Sequence, residues 1–502
     1  MKGNSLTEFY GSHPVLNDLF TATGTGHSQF RLRIDGLSGS SKAIVLSQYF
    51  LHTQLVHLVV IPEKEDAAYL YNDLVALIGD ESIFFFPSTY KRSVLYEQTE
   101  PANIVLRTEV LNFLASGKRK GILISYPESV MEKVVSRNNL KKNTFQINKG
   151  DKLSTDFLEE MLHEYSFRRV DFVYEPGQYS IRGSIVDVFS FSSDYPARID
   201  FFGDEVESIR TFNPDDQLSV SILKQVSVIP NMQDISVEEI NVSFTDYLPP
   251  SAIIWTEDTV IIRERINNIF IQTAQREESG QISGKKGLVT NGETFVENCM
   301  KFRSIEFGNQ SFFGADTEFE FRTEPQPVFN KNFDLLSQKL LSNSKDGYQT
   351  LIVSDSQSQI DRLRDIFAEI NPDLNFDSRL LNLHGGFTDH DLKISVYTDH
   401  QIFDRYHKFR IRGYFTRKES ISVRELTGLN PGDYVVHIDH GIGKFGGLEK
   451  IEVNGKIQEA IKLVYKDNDI LFVAIHSLHR ISKYKGKDGS APRIYKLGSG
   501  AW

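Results

Sequence analysis

Two rhythms of hydrophobic and polar positions divide this chain. Over the first 130 residues, short apolar runs alternate with amphipathic stretches. Phe30–Ile34, His57–Ile61, Ser82–Phe86 and Gly121–Ser125 read as strands, and Lys42–Leu51, Asp66–Ile78 and Asn103–Leu114 read as helices. Short buried strands alternating with helices predict a parallel sheet covered on both faces. The rhythm then shortens. Asp171–Thr211 is dense in β-branched and aromatic residues, with turn chemistry at Pro176-Gly177 and Gly203-Asp204, and predicts an antiparallel module inserted into the first domain. The helical period returns at a strand over Ala252–Trp255 and a helix over Val260–Gln275, followed by a polar, mobile loop at Arg276–Lys286.

A second, smaller α/β unit comes next, with strands at Thr350–Val353 and Lys393–Tyr397 and a helix over Ser358–Ala368. Tyr414–Gly428 reads as a tether. Beyond it, short alternations are cut by Gly446-Gly447, Asn454-Gly455 and Lys466–Asp469, and Asn-Gly between alternating runs is a strong hairpin signal. About five short strands in so little chain predict a small curled antiparallel barrel. The expected fold class is α/β multidomain. The expected boundaries are 1–127 with 233–332 for the first domain, 128–232 for the insert, 333–412 for the small α/β domain, 413–428 for the linker and 429–502 for the barrel.

Composition narrows the classes. A chain of 502 residues is too long for one core, and 40% hydrophobic with 25% charged residues is ordinary for a globular protein. No run of about eighteen apolar residues exists and no secretory signal opens the chain, so a cytoplasmic protein with no membrane partner is expected. Cys299 stands alone, which rules out an internal disulfide framework. The net charge of −11 is uneven: residues 429–502 hold eleven Lys and Arg against eight Asp and Glu, leaving −14 on the remainder. An acidic body argues against broad, salt-driven nucleic-acid binding.

Gly36-Leu37-Ser38-Gly39-Ser40-Ser41-Lys42-Ala43 sits between a strand and a helix, where a phosphate-binding loop belongs. Ser41 replaces the second glycine and Ala43 the metal-binding hydroxyl. The nearest apolar run ending in acid, Ala252–Asp258, is interrupted by Thr256. Loss of the metal ligand removes the ion that phosphoryl transfer requires. Gly36, Gly39, Ser41, Lys42 and Ala43 are therefore expected to form a degenerate loop that binds no nucleotide. His437/His440 and His476/His479 could supply imidazoles, but residues three apart on a strand point to opposite faces, and no metal is expected.

In Tyr195–Arg210, strand alternation puts Arg198, Asp200 and Phe202 on one face and Ile199 and Phe201 on the other. An aromatic ring among charges has the composition of a protein-recognition hot spot; it equally suits an edge strand whose Phe202 covers a helix. The stretch Glu175-Pro-Gly-Gln-Tyr-Ser-Ile-Arg-Gly-Ser-Ile-Val-Asp-Val-Phe189, continued by Arg198-Ile-Asp-Phe-Phe-Gly-Asp-Glu-Val-Glu-Ser-Ile-Arg210, resembles the domain by which UvrB and the bacterial transcription-repair coupling factors bind UvrA. The resemblance implies that Arg182, Arg198 and Phe202 face UvrA. The segment that opens with Asn430–Phe445 and runs to Trp502 resembles the RNA-polymerase-interacting domain that CarD-type regulators share with the coupling factors, a Tudor/SH3-like barrel. Ile451, isolated between Lys450 and Glu452, suits strand addition to a partner sheet and suits the barrel core nearly as well. The resemblance implies that Ile451 contacts the polymerase β subunit, with Lys450 assisting.

The resemblance runs along the whole chain and marks the first domain as a degenerate RecA/helicase-like one. It implies the amino-terminal, adaptor half of a coupling factor, itself not an enzyme. ATP, Mg²⁺ and most double-stranded DNA contact would belong to a translocase beyond residue 502. A monomer is expected. The alternatives are an active UvrB-like ATP-dependent repair helicase and a stand-alone CarD-like transcription regulator.

Overall fold

Seven strands, all parallel, form the sheet that the first rhythm predicts. Their spatial order is Thr317–Glu320, Arg31–Asp35, Arg303–Phe307, Ile253–Glu257, Val56–Val60, Gly121–Ser125 and Ile83–Phe85. The structure, a computed structural model, describes residues 6–24, 29–89, 101–232, 241–282, 286–371, 374, 376–405, 429–437, 440–453, 456–474, 481–484 and 494. The tether expected at 413–428 lies outside them. Two units partition the chain: residues 1–137 with 237–412, and 138–236 with 413–502.

In the first unit, the predicted helices appear as Ser41–Thr53, Lys64–Ile78, Pro101–Ala115 and Thr259–Glu278. The last continues to Glu278, so part of the expected polar loop is helix, and 283–285 lie outside the described residues. The sequence does not announce Arg303–Phe307 as a central strand, because it carries Glu306 where the sheet is buried. Four donors satisfy that carboxylate: the hydroxyls of Thr259 and Ser311 and the amides of Phe312 and Phe313. A buried carboxylate is tolerable only when so fully bonded. His57 is treated similarly. Burial pulls it down to about 3, and the neutral ring accepts a hydrogen bond from Trp255 Nε1 at 2.9 Å.

A second, five-stranded sheet in this unit contains the predicted Gln349–Ser354 and Ile394–Thr398 strands. The helix beside them is Gln357–Ile370.

In the second unit, six strands make the insert's sheet: β1 (Arg168–Arg169), β2 (Gln178–Arg182), β3 (Ile185–Val188), β4 (Ala197–Phe202), β5 (Glu205–Phe212) and β6 (Ser219–Leu223). They lie in the order β6-β5-β4-β3-β2-β1, antiparallel except for β1 with β2. Arg182 pairs with Ile185 and Phe202 with Glu205, so both hairpins turn on two residues. The first residue of each turn, Gly183 or Gly203, has φ near +60°, a conformation that fits glycine and the strand twist.

The C-terminal strands are β7 (Tyr434–His437), β8 (Gly441–Val453), β9 (Lys456–Val464), β10 (Ile470–Ala474) and β11 (Ile481–Lys483). They form an antiparallel sheet ordered β10-β9-β8-β7-β11. Its core joins Val435, Phe445, Ile461, Leu463, Tyr465, Val473 and Ile481 with a ring from the insert, Phe172, which is 5% exposed. A small sheet buries too little apolar area to stand easily alone, so one borrowed aromatic is a large fraction of its core. Phe172→Ala is expected to destabilise this sheet by about 3–5 kcal/mol, read as faster amide exchange in β7–β10, with Phe172→Leu retaining most of the protection. Unchanged exchange in Phe172→Ala would show that the core closes without the ring.

Candidate interaction sites

The insert's sheet is sealed on one side and open on the other. Val186, Val188, Ile199, Phe201 and Ile209 are buried, whereas Phe202 is 79% exposed. The alternation read from the sequence therefore holds on β4, and Phe202 covers no helix of its own chain. The two arginines differ from it. Arg198 donates from Nε and Nη2 to the two oxygens of Asp187 at 2.7 and 2.9 Å, and its guanidinium lies 4.3 Å from the Phe212 ring centroid. Arg182 donates to the same carboxylate and, at 2.7 Å, to the Asp171 carbonyl, and it lies over Phe172. Arg198 is mostly covered, Arg182 about one-third exposed, and Asp187 fully buried. These arginines brace the sheet from within, and Phe202 alone of the three projects freely.

Sequence reasoning missed the other end of this face. Register places Asp187, Arg198, Arg210 and Ile222 in one row across β3, β4, β5 and β6. Arg210 pairs with Asp200 at 3.0 Å, and Ile222 is 87% exposed. The alternation Ser219-Val220-Ser221-Ile222 ordinarily turns its apolar set inward; here Val220 and Ile222 both face solvent. Ser219 and Ser221 are exposed as well, and only the edge position of β6 and its pairing with Arg210 reveal a strand open on both faces.

In the C-terminal sheet, Lys450 lies opposite Glu459 and Ile451 opposite Gln458 on the β8–β9 hairpin, and their side chains lie outside the described residues. Among the described residues, Leu448–Val453 has ladder partners on the β9 side only. His437 ends β7, and the His440 ring lies 4.8 Å from its ring, closer than alternation along one strand would bring residues three apart. His476 and His479 lie outside the described residues.

The glycine-rich loop is filled by protein. The amide of Gly36 donates to Asp35 Oδ1, that of Ser38 to Thr323 Oγ1 at 2.7 Å, and that of Ser40 to the Gly385 carbonyl at 2.9 Å. A Cβ on Gly39 would sit 2.6 Å from the Gly386 oxygen. Lys42, which opens its helix beside Ala43, pairs at 2.6 Å with Glu257, the acid of the interrupted apolar run. Ser41 turns back on the Ser38 carbonyl. Amides that would cradle a phosphate are thus already paired.

Beneath the loop, the Ser40 hydroxyl bonds Asp73, whose Oδ1 also accepts from the His384 amide at 2.7 Å. Elsewhere in this unit, His13, Asp389 and Asp391 bring ligand atoms within 4.8 Å. His13 Nδ1 accepts from the Val15 amide at 3.2 Å, so the ring proton sits on Nε2, facing Asp389 at 3.4 Å. A protonated nitrogen has no lone pair for a metal. The cluster reads as a buried structural contact in which the Tyr10 hydroxyl donates to Asp389 at 2.6 Å. Cys299 is buried, which pushes its thiol well above the usual range.

Two family models match the segments that carry these surfaces. Residues 145–233 match the UvrB interaction domain, and residues 429–485 match the CarD-like/TRCF RID domain. Over 93% of its length the chain is 24% identical to the transcription-repair-coupling factor of Bacillus subtilis (strain 168). Along nearly its whole length the chain is similar to transcription-repair-coupling factors. The corresponding protein of Staphylococcus haemolyticus is also 24% identical, over 97% of the chain. The chain spans about half the length of these coupling factors, 46% and 47% respectively. A solved structure of Mss116p bound to ssRNA and AMP-PNP covers 72% of the chain at 9% identity, with a TM-score of 0.20 that supports no fold argument. Within the coupling-factor frame, β1–β6 and Phe202 fall in the UvrB interaction domain and β7–β11 in the RID domain. Among the described residues, no helix is long and apolar enough to cross a membrane.

Burial raises the Asp73 carboxyl from 3.8 to about 7. The folded chain therefore holds a proton that the unfolded chain has released between those values, and stability falls as pH rises from about 4 to about 7. Asp73→Asn is expected to remove that slope, measured by denaturant unfolding of the first unit from pH 4.5 to 7.5. Equal slopes in wild type and variant would contradict the assignment.

Proposed function

We propose that this chain is the adaptor half of a transcription-repair coupling factor. It holds RNA polymerase through its C-terminal sheet and recruits UvrA through the open face of the insert. The observation that carries the reading is the near-complete exposure of Phe202 on the sealed-and-open sheet of the UvrB interaction domain. A large ring left in water beside braced guanidiniums is the composition of a protein hot spot. On this reading the chain divides into the domains expected from the sequence, and residues 429–502 form a Tudor/SH3-like barrel.

The unpaired ladder side of Leu448–Val453 supports strand addition to the polymerase β subunit, with Ile451 and Lys450 at the contact. The filled glycine loop supports a first domain of RecA/helicase-like descent that neither binds nor hydrolyses ATP. On this reading ATP, Mg²⁺ and the main duplex-DNA contact belong to a translocase of the full-length protein. The chain acts as a cytoplasmic monomer.

Phe202→Ala is expected to weaken UvrA binding about 30-fold, corresponding to about 2 kcal/mol for a central aromatic anchor. Arg182→Ala and Arg198→Ala are expected to act mainly through the Asp187 brace, so their circular dichroism melts shift as well. Titration calorimetry with purified UvrA measures the first effect, and wild-type affinity in Phe202→Ala would overturn the recruitment reading. Ile451→Arg is expected to abolish β-subunit capture with the fold intact; undiminished capture would reject that contact. ATP hydrolysis that Lys42→Ala abolishes would establish the helicase alternative instead.

A further inference from the structure

The apolar residues on β6 lie on an unprotected edge. Sheets ordinarily blunt an exposed edge with charge, proline or a bulge, because its unpaired amides and carbonyls accept another strand. Ser219–Leu223 contains no charged residue and no proline; its register shift falls at Val220, between the Ser219–Phe212 and Ser221–Thr211 pairs, leaving Ser221, Ile222 and Leu223 in regular register for an added strand. Among the described residues β6 pairs only with β5. Ile222 is 87% exposed, Val220 51% and Leu218 43%, a concentration of exposed apolar side chains on one edge.

We propose that β6 is a strand-addition edge, and that UvrA docking at Phe202 extends across the sheet by pairing an extended UvrA segment with Ser219–Leu223. This rests on the reading of the insert as the UvrA surface and adds the second anchor and the mode of attachment. Continuity carries it. Ile222 stands in register with Arg210 and Arg198, and Arg210 pairs with Asp200, which shares the outward face of β4 with Phe202. With strands about 4.8 Å apart and about 3.4 Å per residue, Phe202 and Ile222 are separated by about 16 Å. That span fits within one standard protein interface.

Charge defines the segment. Past the end of β6, the Lys149 amide donates to the Lys224 carbonyl at 2.9 Å, and both side chains are exposed. The fitting strand has an apolar residue opposite Ile222 and an acidic residue where it passes these lysines. Backbone bonds would supply affinity, and the Ile222 contact the register.

The test uses the 1–502 chain and purified UvrA, with amide exchange and titration calorimetry as readouts. Bound UvrA is expected to slow exchange of the β6 amides at least tenfold. Ile222→Lys is expected to weaken binding at least tenfold and to erase that slowing, whereas Ile222→Val retains both. Protection of β3–β5 in each variant reports that the sheet remains folded. Unchanged β6 exchange in the wild-type complex, or wild-type affinity in a folded Ile222→Lys, would overturn strand addition. If Phe202→Ala weakens binding while Ile222→Lys does not, only the extension fails. If neither weakens it, the UvrA reading of the face fails with it.

Discussion

One carboxylate organises the second unit of this chain. Asp187 has no solvent exposure, and an uncompensated charge there would cost several kcal/mol. Arg182 from β2 and Arg198 from β4 reach it from either side of β3. Once committed to Asp187, the guanidiniums lie over Phe172 and Phe212. Phe202, with no such partner, projects outward. The same arrangement reaches the C-terminal sheet, since Arg182 also holds the Asp171 carbonyl next to the ring that completes that sheet's core. The insert and the C-terminal sheet thus share a brace.

The glycine-rich loop is held by structural contacts. Where a phosphate loop keeps its amides open, this one commits them to Thr323, Gly385 and its own turn, and Lys42 meets a carboxylate. Glycine remains necessary at residue 39 because backbone at 385–386 occupies the space a side chain would need. The loop packs against another segment of the same chain.

Much of the architecture was legible because period and burial agree. The parallel strands at 56–60 and 121–125 are continuous apolar runs, and β4 alternates cleanly until Phe202. Legibility failed where polar groups are buried by pairing, as at Glu306, or where an apolar set faces water, as on β6. Both reverse the rule that hydrophobicity marks the inside, and neither the partner of a buried acid nor an exposed edge appears in a local window. The motif also placed Arg182, Arg198 and Phe202 on one surface without distinguishing support from contact. That distinction depends on Asp187, eleven residues before Arg198 and adjacent to it only in the folded sheet.

The most direct measurement replaces the Phe202 ring with a photoreactive benzoyl-phenylalanine in the 1–502 chain and irradiates it with purified UvrA. The account predicts a covalent adduct from position 202 and none from the same probe at Phe157, an exposed ring on the Thr155–Glu164 helix. An adduct at 157 with none at 202 would contradict it.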